Sequence, residues 1–255
     1  MNGIFYIGAT GLDAHQSAIN AVANNITNIN TPAYKRASVT FSELIGGSAA
    51  PRKASARAPD EASGVIAQPS IRNFTPGELH ATGSAFDLAI HGDGFIPLVG
   101  SDHAQVLWRG GTLHVDSDGY LATETGSRLE AMISVPRDAS NFAIAQDGVV
   151  TAAIAGSQEP LELGQIDMVR PADLSQLEPL GNASYRLTTS DVSLTQDKPG
   201  QEGMGMLAQG FTEGSNVQLS DELVNLMIYQ RAYAANARLV QVGDELMAIA
   251  NGLKR

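Results

Sequence analysis

The chain has 255 residues, 43% of them apolar and only 5% aromatic, with 16 Lys or Arg against 27 Asp or Glu for a formal net charge of −11. That acidic balance excludes a nucleic-acid binder, which needs a basic surface to neutralise phosphates, and the lack of cysteine excludes disulfides and thiolate chemistry. No apolar run approaches the ~20 residues of a membrane span, so the chain is not expected to be membrane-inserted.

The first Lys or Arg is Lys35, so no basic segment precedes an apolar one at the N-terminus, which by itself reads as cytoplasmic or as exported by a route that does not use a cleaved signal. Residues 4–29 read as a helix. Phe5, Leu12, Ile19 and Ile26 recur every seven residues, with Val22 and Ile29 in a second row. Its polar face is uncharged apart from Asp13 and carries Gln16, Asn20, Asn24, Asn25 and Asn28. Uncharged amides suit a face that becomes buried against neighbours, where a lone charge is costly. Thr31-Pro32 ends the helix, because the residue before proline is pushed out of the helical region.

Residues 46–70 read as a linker rich in Gly, Ser, Ala and Pro, with a local basic patch at Arg52, Lys53 and Arg57. From Val65 to Phe211 the pattern becomes short strands and turns. Asp118-Gly119 and Asp147-Gly148 sit between apolar pairs, and Gly92 and Gly94 punctuate another pair of strands. One strand is expected over 162–170, and Gly181-Asn182 is expected to form a turn. This spacing predicts an all-β core. Residues 220–253 then form a long helix, capped by Ser220, with Asp221 and Glu222 in the first turn where the backbone dipole favours them. Leu219, Leu226, Tyr233, Val240 and Met247 repeat every seven residues, Leu223, Ala237 and Ala250 widen the stripe, and Leu239, Leu246 and Leu253 make a second seam. Two seams call for more than one partner, so the helix is expected to meet the N-terminal helix and other molecules as well.

Patterns that would carry chemistry fail on spacing. The Gly92-x-Gly94 pair meets Pro97 where a dinucleotide fingerprint needs its third glycine. Asp116, Asp118 and Gly119 lack the third ligand of a calcium loop and read as a turn. His15, His80, His91, His103 and His114 form no close pair, so zinc has no local scaffold. Neither a nucleophile elbow nor a P-loop occurs. No catalytic residue, metal or cofactor is assigned.

Ala23-Asn24-Asn25-Ile26-Thr27-Asn28-Ile29-Asn30-Thr31-Pro32-Ala33-Tyr34-Lys35-Arg36 resembles the N-terminal signature of the flagellar rod and hook family. Glu213-Gly214-Ser215-Asn216-Val217, Asn225-Leu226-Met227-Ile228 and Gln230-Arg231-Ala232-Tyr233 resemble its C-terminal counterpart, and Asp87-Leu88-Ala89-Ile90-His91-Gly92-Asp93-Gly94-Phe95 resembles a segment of its central region. Two positions depart from the family pattern: Ala33 replaces a common glycine, and Ala234 replaces an acidic residue. The resemblance implies a structural, non-enzymatic subunit of the bacterial flagellar basal body that polymerises into a helical tube, most like the distal rod branch. A proximal rod or hook-type axial protein is the alternative, with an extracytoplasmic β-domain enzyme or binding protein behind it. The implied partners are further copies of itself, neighbouring rod proteins, the hook protein, the surrounding ring proteins as a bushing, and the flagellar type III export apparatus.

The expected fold is therefore mixed: N- and C-terminal α-helices form a coiled-coil-like domain (1–33 and 215–255), followed in the chain by a linker or extended segment (34–70) and an all-β central domain (71–214). The expected assembly interface comprises Phe5, Leu12, Ile19, Val22, Asn24, Asn25, Ile26, Asn28, Leu219, Leu223, Leu226, Gln230, Arg231, Tyr233, Val240 and Met247, with Arg52, Lys53 and Arg57 as a stiffening segment between subunits. A lone pair of helices is marginal in water, which favours folding coupled to assembly.

Overall fold

The computed structural model describes residues 2–45, 62–68, 71–100, 105–154, 159–189 and 192–252. An N-terminal helix, a C-terminal helix and a central β-rich region make up the chain, which divides into two compact units. One, the helical unit, is formed by Met1–Thr27, Arg36–Asn73 and Val217–Arg255; the other, the β unit, by Asn28–Lys35 and Phe74–Asn216. Arg52, Lys53 and Arg57 lie outside the described residues.

The helical unit holds α1 (Asn2–Thr27), β1 (Ala37–Ser38), β2 (Phe41–Ile45), β3 (Ala62–Ala67), β4 (Ile71–Arg72) and α2 (Leu219–Gly252). α1 and α2 run antiparallel: Gly8 lies at Val240, Gly11 at Asn236, and Asn25 at Glu222. β1 pairs with β4, and β2 pairs antiparallel with β3. The β3 residues were expected to belong to the 46–70 linker. They form a strand, in keeping with the strand pattern expected from Val65 onward, with Val65, Ile66 and Ala67 paired to Glu43, Ser42 and Phe41. α2 starts at Leu219, one residue before Ser220, and the Glu222 amide already donates to the Gln218 carbonyl. Ser220 therefore sits in the first turn rather than capping the helix.

The β unit opens with β5 (Leu79–Ala81), β6 (Asp87–His91), β7 (Ile96–Leu98), β8 (Val106–Trp108), β9 (Gly110–Val115) and β10 (Leu121–Thr123). It continues with β11 (Ala139–Ile144), β12 (Val149–Ile154), β13 (Leu161–Gln165), β14 (Met168–Pro171), β15 (Leu177–Gly181), β16 (Ser184–Leu187), β17 (Leu194–Asp197), β18 (Met206–Gln209) and β19 (Phe211–Glu213). Two four-stranded sheets, ordered β10-β9-β6-β18 and β15-β16-β8-β7, are joined by a β11-β12-β13 sheet and the pairs β14-β17 and β19-β5.

The Asp-Gly turns form as expected. Asp118-Gly119 links β9 to β10, with Gly119 at φ 90°, and Asp147-Gly148 links β11 to β12. The Asp116 carboxylate accepts the Asp118 and Tyr120 amides and pairs with Arg128, which also reaches Asp118. Those carboxylates are thus matched by a guanidinium within a turn, and the Tyr120 amide, followed by Arg128, holds Asp116 below the usual carboxylate range. The stretch expected as one strand over 162–170 is two, β13 and β14, which pair in different sheets. Residues 174–176 form a 3-10 turn capped by the Asp173 side chain. Such a local acceptor for a backbone N–H competes with strand pairing.

A continuous core runs through this unit. Leu88, Ile90, Ile96, Leu98, Trp108, Leu113, Leu121, Leu129, Ile133 and Met168 are among its closed side chains. Phe95, Leu107, Val169, Leu177 and Tyr185 form a second cluster, where Phe74, Phe95 and Tyr185 meet edge to face with centroids 5.2–5.8 Å apart.

Candidate functional site

The seam between α1 and α2 is made mainly of small and polar residues. On α1 the closed positions are Gly8, Gly11, Ala14, Ala18, Val22 and Asn25, spaced by three or four as one helical face requires. A Cβ at Gly8 would lie 2.5 Å from a Val240 methyl, and one at Gly11 would lie 2.9 Å from the Asn236 amide. The absent side chains let the two helices approach closely. On α2 the facing row is Glu222, Tyr229, Asn236, Gly243 and Ala250, again every seven residues.

This corrects the expected register. Leu226, Val240 and Met247 flank the seam at intermediate burial, as do Phe5, Leu12, Ile19 and Ile26 on α1, while Val22 is buried within it. Leu219, Leu223 and Tyr233, expected in the seam, are exposed, and so are Gln230 and Arg231. Of the expected row, Val240 meets α1 at Gly8, while the most closed positions of α2 fall in the neighbouring row that starts at Glu222.

Asn25 was expected to serve a face toward neighbouring molecules. It is fully buried and works inside the chain instead. Its Oδ1 accepts the Ala37 amide at 2.9 Å, and its Nδ2 donates to the Ala37 carbonyl at 2.8 Å and to Glu222 Oε2 at 3.1 Å. Glu222, also fully buried, completes the cluster through Arg36. Every polar atom buried here needs such a partner. Asn24 is exposed on α1, and Asn28, in the turn of the β unit, accepts the Thr31 hydroxyl at 3.1 Å.

His15 lies on the same helical unit, with its ring centroid 5.3 Å from that of Phe41 and 6.3 Å from that of Tyr229. Its Nδ1 is buried without a hydrogen-bond partner, and burial pushes its pKa below the usual value. His15 is thus an imidazole packed among aromatic rings.

In the β unit, the turn that carries the N-terminal signature is held by Glu213. Its carbonyl accepts the Ala33 amide at 2.7 Å, and its carboxylate accepts Lys35 Nζ at 2.7 Å, the Gly77 amide at 2.8 Å and Arg109 Nε at 3.0 Å. Lys35 also donates to the Thr75 carbonyl at 3.0 Å, and Arg109 donates to the Gly92 and Gly94 carbonyls. Burial lowers the Lys35 pKa against the pull of Glu213, and Arg109 adds to the lowering. Ala33 adopts φ 53°, a left-handed conformation that favours glycine, and so accounts physically for the glycine common at this position of the signature. Sequence reasoning placed Lys35 and Glu213 in motifs but did not pair them. The only available signal was the basic end of one signature run, Lys35-Arg36, and the acidic start of the other, Glu213.

The large apolar side chains of α2 face solvent. Val224 (50% exposed), Ile228 (54%), Val242 (47%), Leu246 (49%) and Ile249 (60%) recur along one side, with Leu239 beside them. An exposed apolar stripe on this scale marks an interaction surface. Among the described residues, no group of three or more His, Cys, Asp or Glu could hold a metal ion, and no helix is long and apolar enough to cross a membrane.

Comparison with known proteins gives three family matches in order along the chain. Residues 5–35 match the flagella basal body rod protein family, residues 89–152 the flagellar hook protein FlgE/F/G D1 domain, and residues 208–253 the C-terminal domain of flagellar basal body rod FlgEFG proteins. Full-length similarity extends to flagellar basal-body rod protein FlgG of Buchnera aphidicola subsp. Acyrthosiphon pisum, 33% identical over 95% of this chain and 96% of that protein. FlgG of Borreliella burgdorferi is 32% identical over 98% of both chains, and FlgG of Agrobacterium fabrum is 32% identical over 95% and 96%.

Proposed function

Because the chain belongs to the flagellar basal-body rod protein family as a structural subunit of the rod, we propose that it forms the distal part of that rod, polymerising through its two terminal helices into a tubular shaft that carries torque to the hook. Assembly with itself and with other rod and hook components follows from the family. Ring proteins acting as a bushing, delivery by the type III export apparatus without a cleaved signal, and the absence of enzymatic activity belong to the same proposal.

The observation that carries this reading is the apolar outer side of α2, which the seam with α1 leaves open to solvent. Burying that side against other copies supplies apolar contact that the isolated helical unit does not make. On this reading residues 1–33 and 215–255 act as the assembly domain and 71–214 as a rigid body. Leu219, Leu223, Tyr233, Gln230 and Arg231 are available to neighbours because α1 does not cover them. Arg52, Lys53 and Arg57 would stiffen contacts between subunits through charge-assisted hydrogen bonds to acidic neighbours.

The test is electron microscopy of the purified, concentrated protein. Straight tubes are expected from the full chain, and curved or flexible tubes from a variant lacking residues 50–60. A protein that stays monomeric at every concentration contradicts the reading, and straight tubes from the deletion variant remove the stiffening role.

A further inference from the structure

β8 and β9 are consecutive, yet they belong to different sheets. Trp108 pairs with Ser184 and Ile96 in one, and Gly110 and Gly111 pair with Ala89 and Leu88 in the other. The chain changes sheet between them, and only glycine suits the crossing. Gly110 has φ 117°, and a Cβ there would lie 2.6 Å from the Leu88 carbonyl oxygen. A pocket of about 140 Å³ opens at this crossing, lined by Trp108, Gly110, Gly111 and Thr212, with Glu124 and Asn182 at its rim.

Trp108 is 2% exposed and held by a strand on either side, but its indole N–H has no hydrogen-bond partner among the described residues. A buried indole N–H ordinarily has one. The nitrogen is not sealed, because His15 Nδ1 is the one fully closed, unpartnered side-chain nitrogen or oxygen among the described residues. Its opening is the pocket. A Cβ at Gly111 would lie 3.3 Å from the ring edge and 3.9 Å from Nε1, so the missing side chain leaves the N–H uncovered.

The other polar groups narrow the ligand. The Thr112 hydroxyl already donates to Asp87, and that of Thr123 to the Ser127 carbonyl. The Thr212 hydroxyl, the Asn182 amide and the Glu124 carboxylate make no side-chain hydrogen bond or ion pair among the described residues. The pocket therefore offers a donor on its buried side and a carboxylate at its rim, with a hydroxyl and an amide that serve either way. A ligand group must accept at the inner end, donate at the outer end and bring no negative charge to Glu124. The volume far exceeds the ~30 Å³ share of one water and is close to the ~150 Å³ of a cavity that holds one benzene, so about six heavy atoms fit.

We propose that this pocket binds an uncharged amide group, with the amide oxygen on Trp108 Nε1 and the amide N–H toward Glu124. The inference stands apart from the rod-subunit reading, which the formation of tubes tests, so its failure leaves that reading intact.

Trp108 is the single tryptophan of the chain, so one indole N–H signal in proton–nitrogen NMR spectra reports on the site. In dispersed monomer, acetamide should move that signal downfield to saturation. Acetate, its isosteric anion, should bind at least about tenfold more weakly, and ethanol should leave the signal near its free position. Glu124→Lys should remove the bias against acetate. Thr212→Val should lose acetamide affinity and Thr212→Ser should regain it, with the melting temperature as folding control. A parent signal that acetamide never moves, or that acetate and ethanol move equally well, overturns the proposal.

Trp108 emission then tells a free amide from one carried by an Asn or Gln of another copy. Tubes whose emission still responds to acetamide point to a free ligand. Tubes already at the acetamide-saturated emission point to another copy. Tubes that do neither fill the pocket with something else and overturn the site.

Discussion

In the β unit Leu88, Ile90, Leu121, Leu129 and Ile166 are closed from solvent, and the charges that enter its interior, Lys35, Arg109 and Glu213, neutralise one another. In the helical unit the closed positions include Gly8, Gly11, Ala14, Ala18, Val22, Asn25, Glu222 and Gly243, while Val224, Ile228, Val242, Leu246 and Ile249 stand open. A unit with a closed core of large apolar residues is held together by that core, since apolar burial is the main favourable term in folding. A unit that closes mainly small and polar positions leaves the large apolar residues along one side of α2 in solvent.

Breaking the charge cluster of the β unit should have the largest effect on stability. Glu213→Leu leaves Lys35 and Arg109 buried without their carboxylate, and the unit should lose about 3–5 kcal/mol, read as a lower denaturation midpoint. A midpoint within error of the parent would mean that the cluster contributes nothing. The corresponding change in the helical unit is steric. Gly11→Leu places atoms where the Asn236 amide stands and should cost about 1–3 kcal/mol, with helical circular dichroism lost before the β unit unfolds. Coincident melting of both signals would refute independent responses of the two units.

Asn25→Leu strips the Ala37 amide and carbonyl of their partners and should cost about 1–3 kcal/mol in the helical unit, checked by the same two signals. Ala33→Gly relaxes a left-handed residue in the β unit and should stabilise it by about 1 kcal/mol, read as a higher melting temperature.

The smallest effect is the pH response of His15. Its pKa is lowered in the folded chain, so as pH falls through the ordinary imidazole value of about 6.5 the unfolded chain takes up a proton first. Stability is therefore full above that value, declines as pH falls toward the folded pKa, and is level below it. The helical signal of the parent should melt earlier at pH 5 than at pH 7.5 by more than that of His15→Phe. Equal pH dependence in the two proteins would remove His15 from the account.

Much of the β unit was legible because its turns are written in local chemistry. Asp118-Gly119 and Asp147-Gly148 announce hairpins whatever surrounds them. Both helices were legible as helices for the same reason. The face that each helix closes was not, because the period of seven appears in several rows of α2 at once and the largest apolar row draws attention first. The most closed row, which starts at Glu222, depends on contact with α1, a segment far off in the chain. The pairing of Lys35 with Glu213 was hidden likewise, since it depends on how β19 returns beside β5. The β2–β3 hairpin was masked by composition, for a stretch rich in Gly, Ser and Ala reads as linker until its partner strand is known.

The central claim is that the open side of α2 serves assembly and not the fold of the single chain. The most direct measurement compares Leu246→Asp and Ile249→Asp with the parent, both as dispersed monomer and at polymerising concentration. Both positions are about half or more exposed, so monomer stability should stay within about 0.5 kcal/mol of the parent, while tubes disappear from electron micrographs. Tubes that form as in the parent, or a monomer that unfolds when these positions become charged, would contradict it.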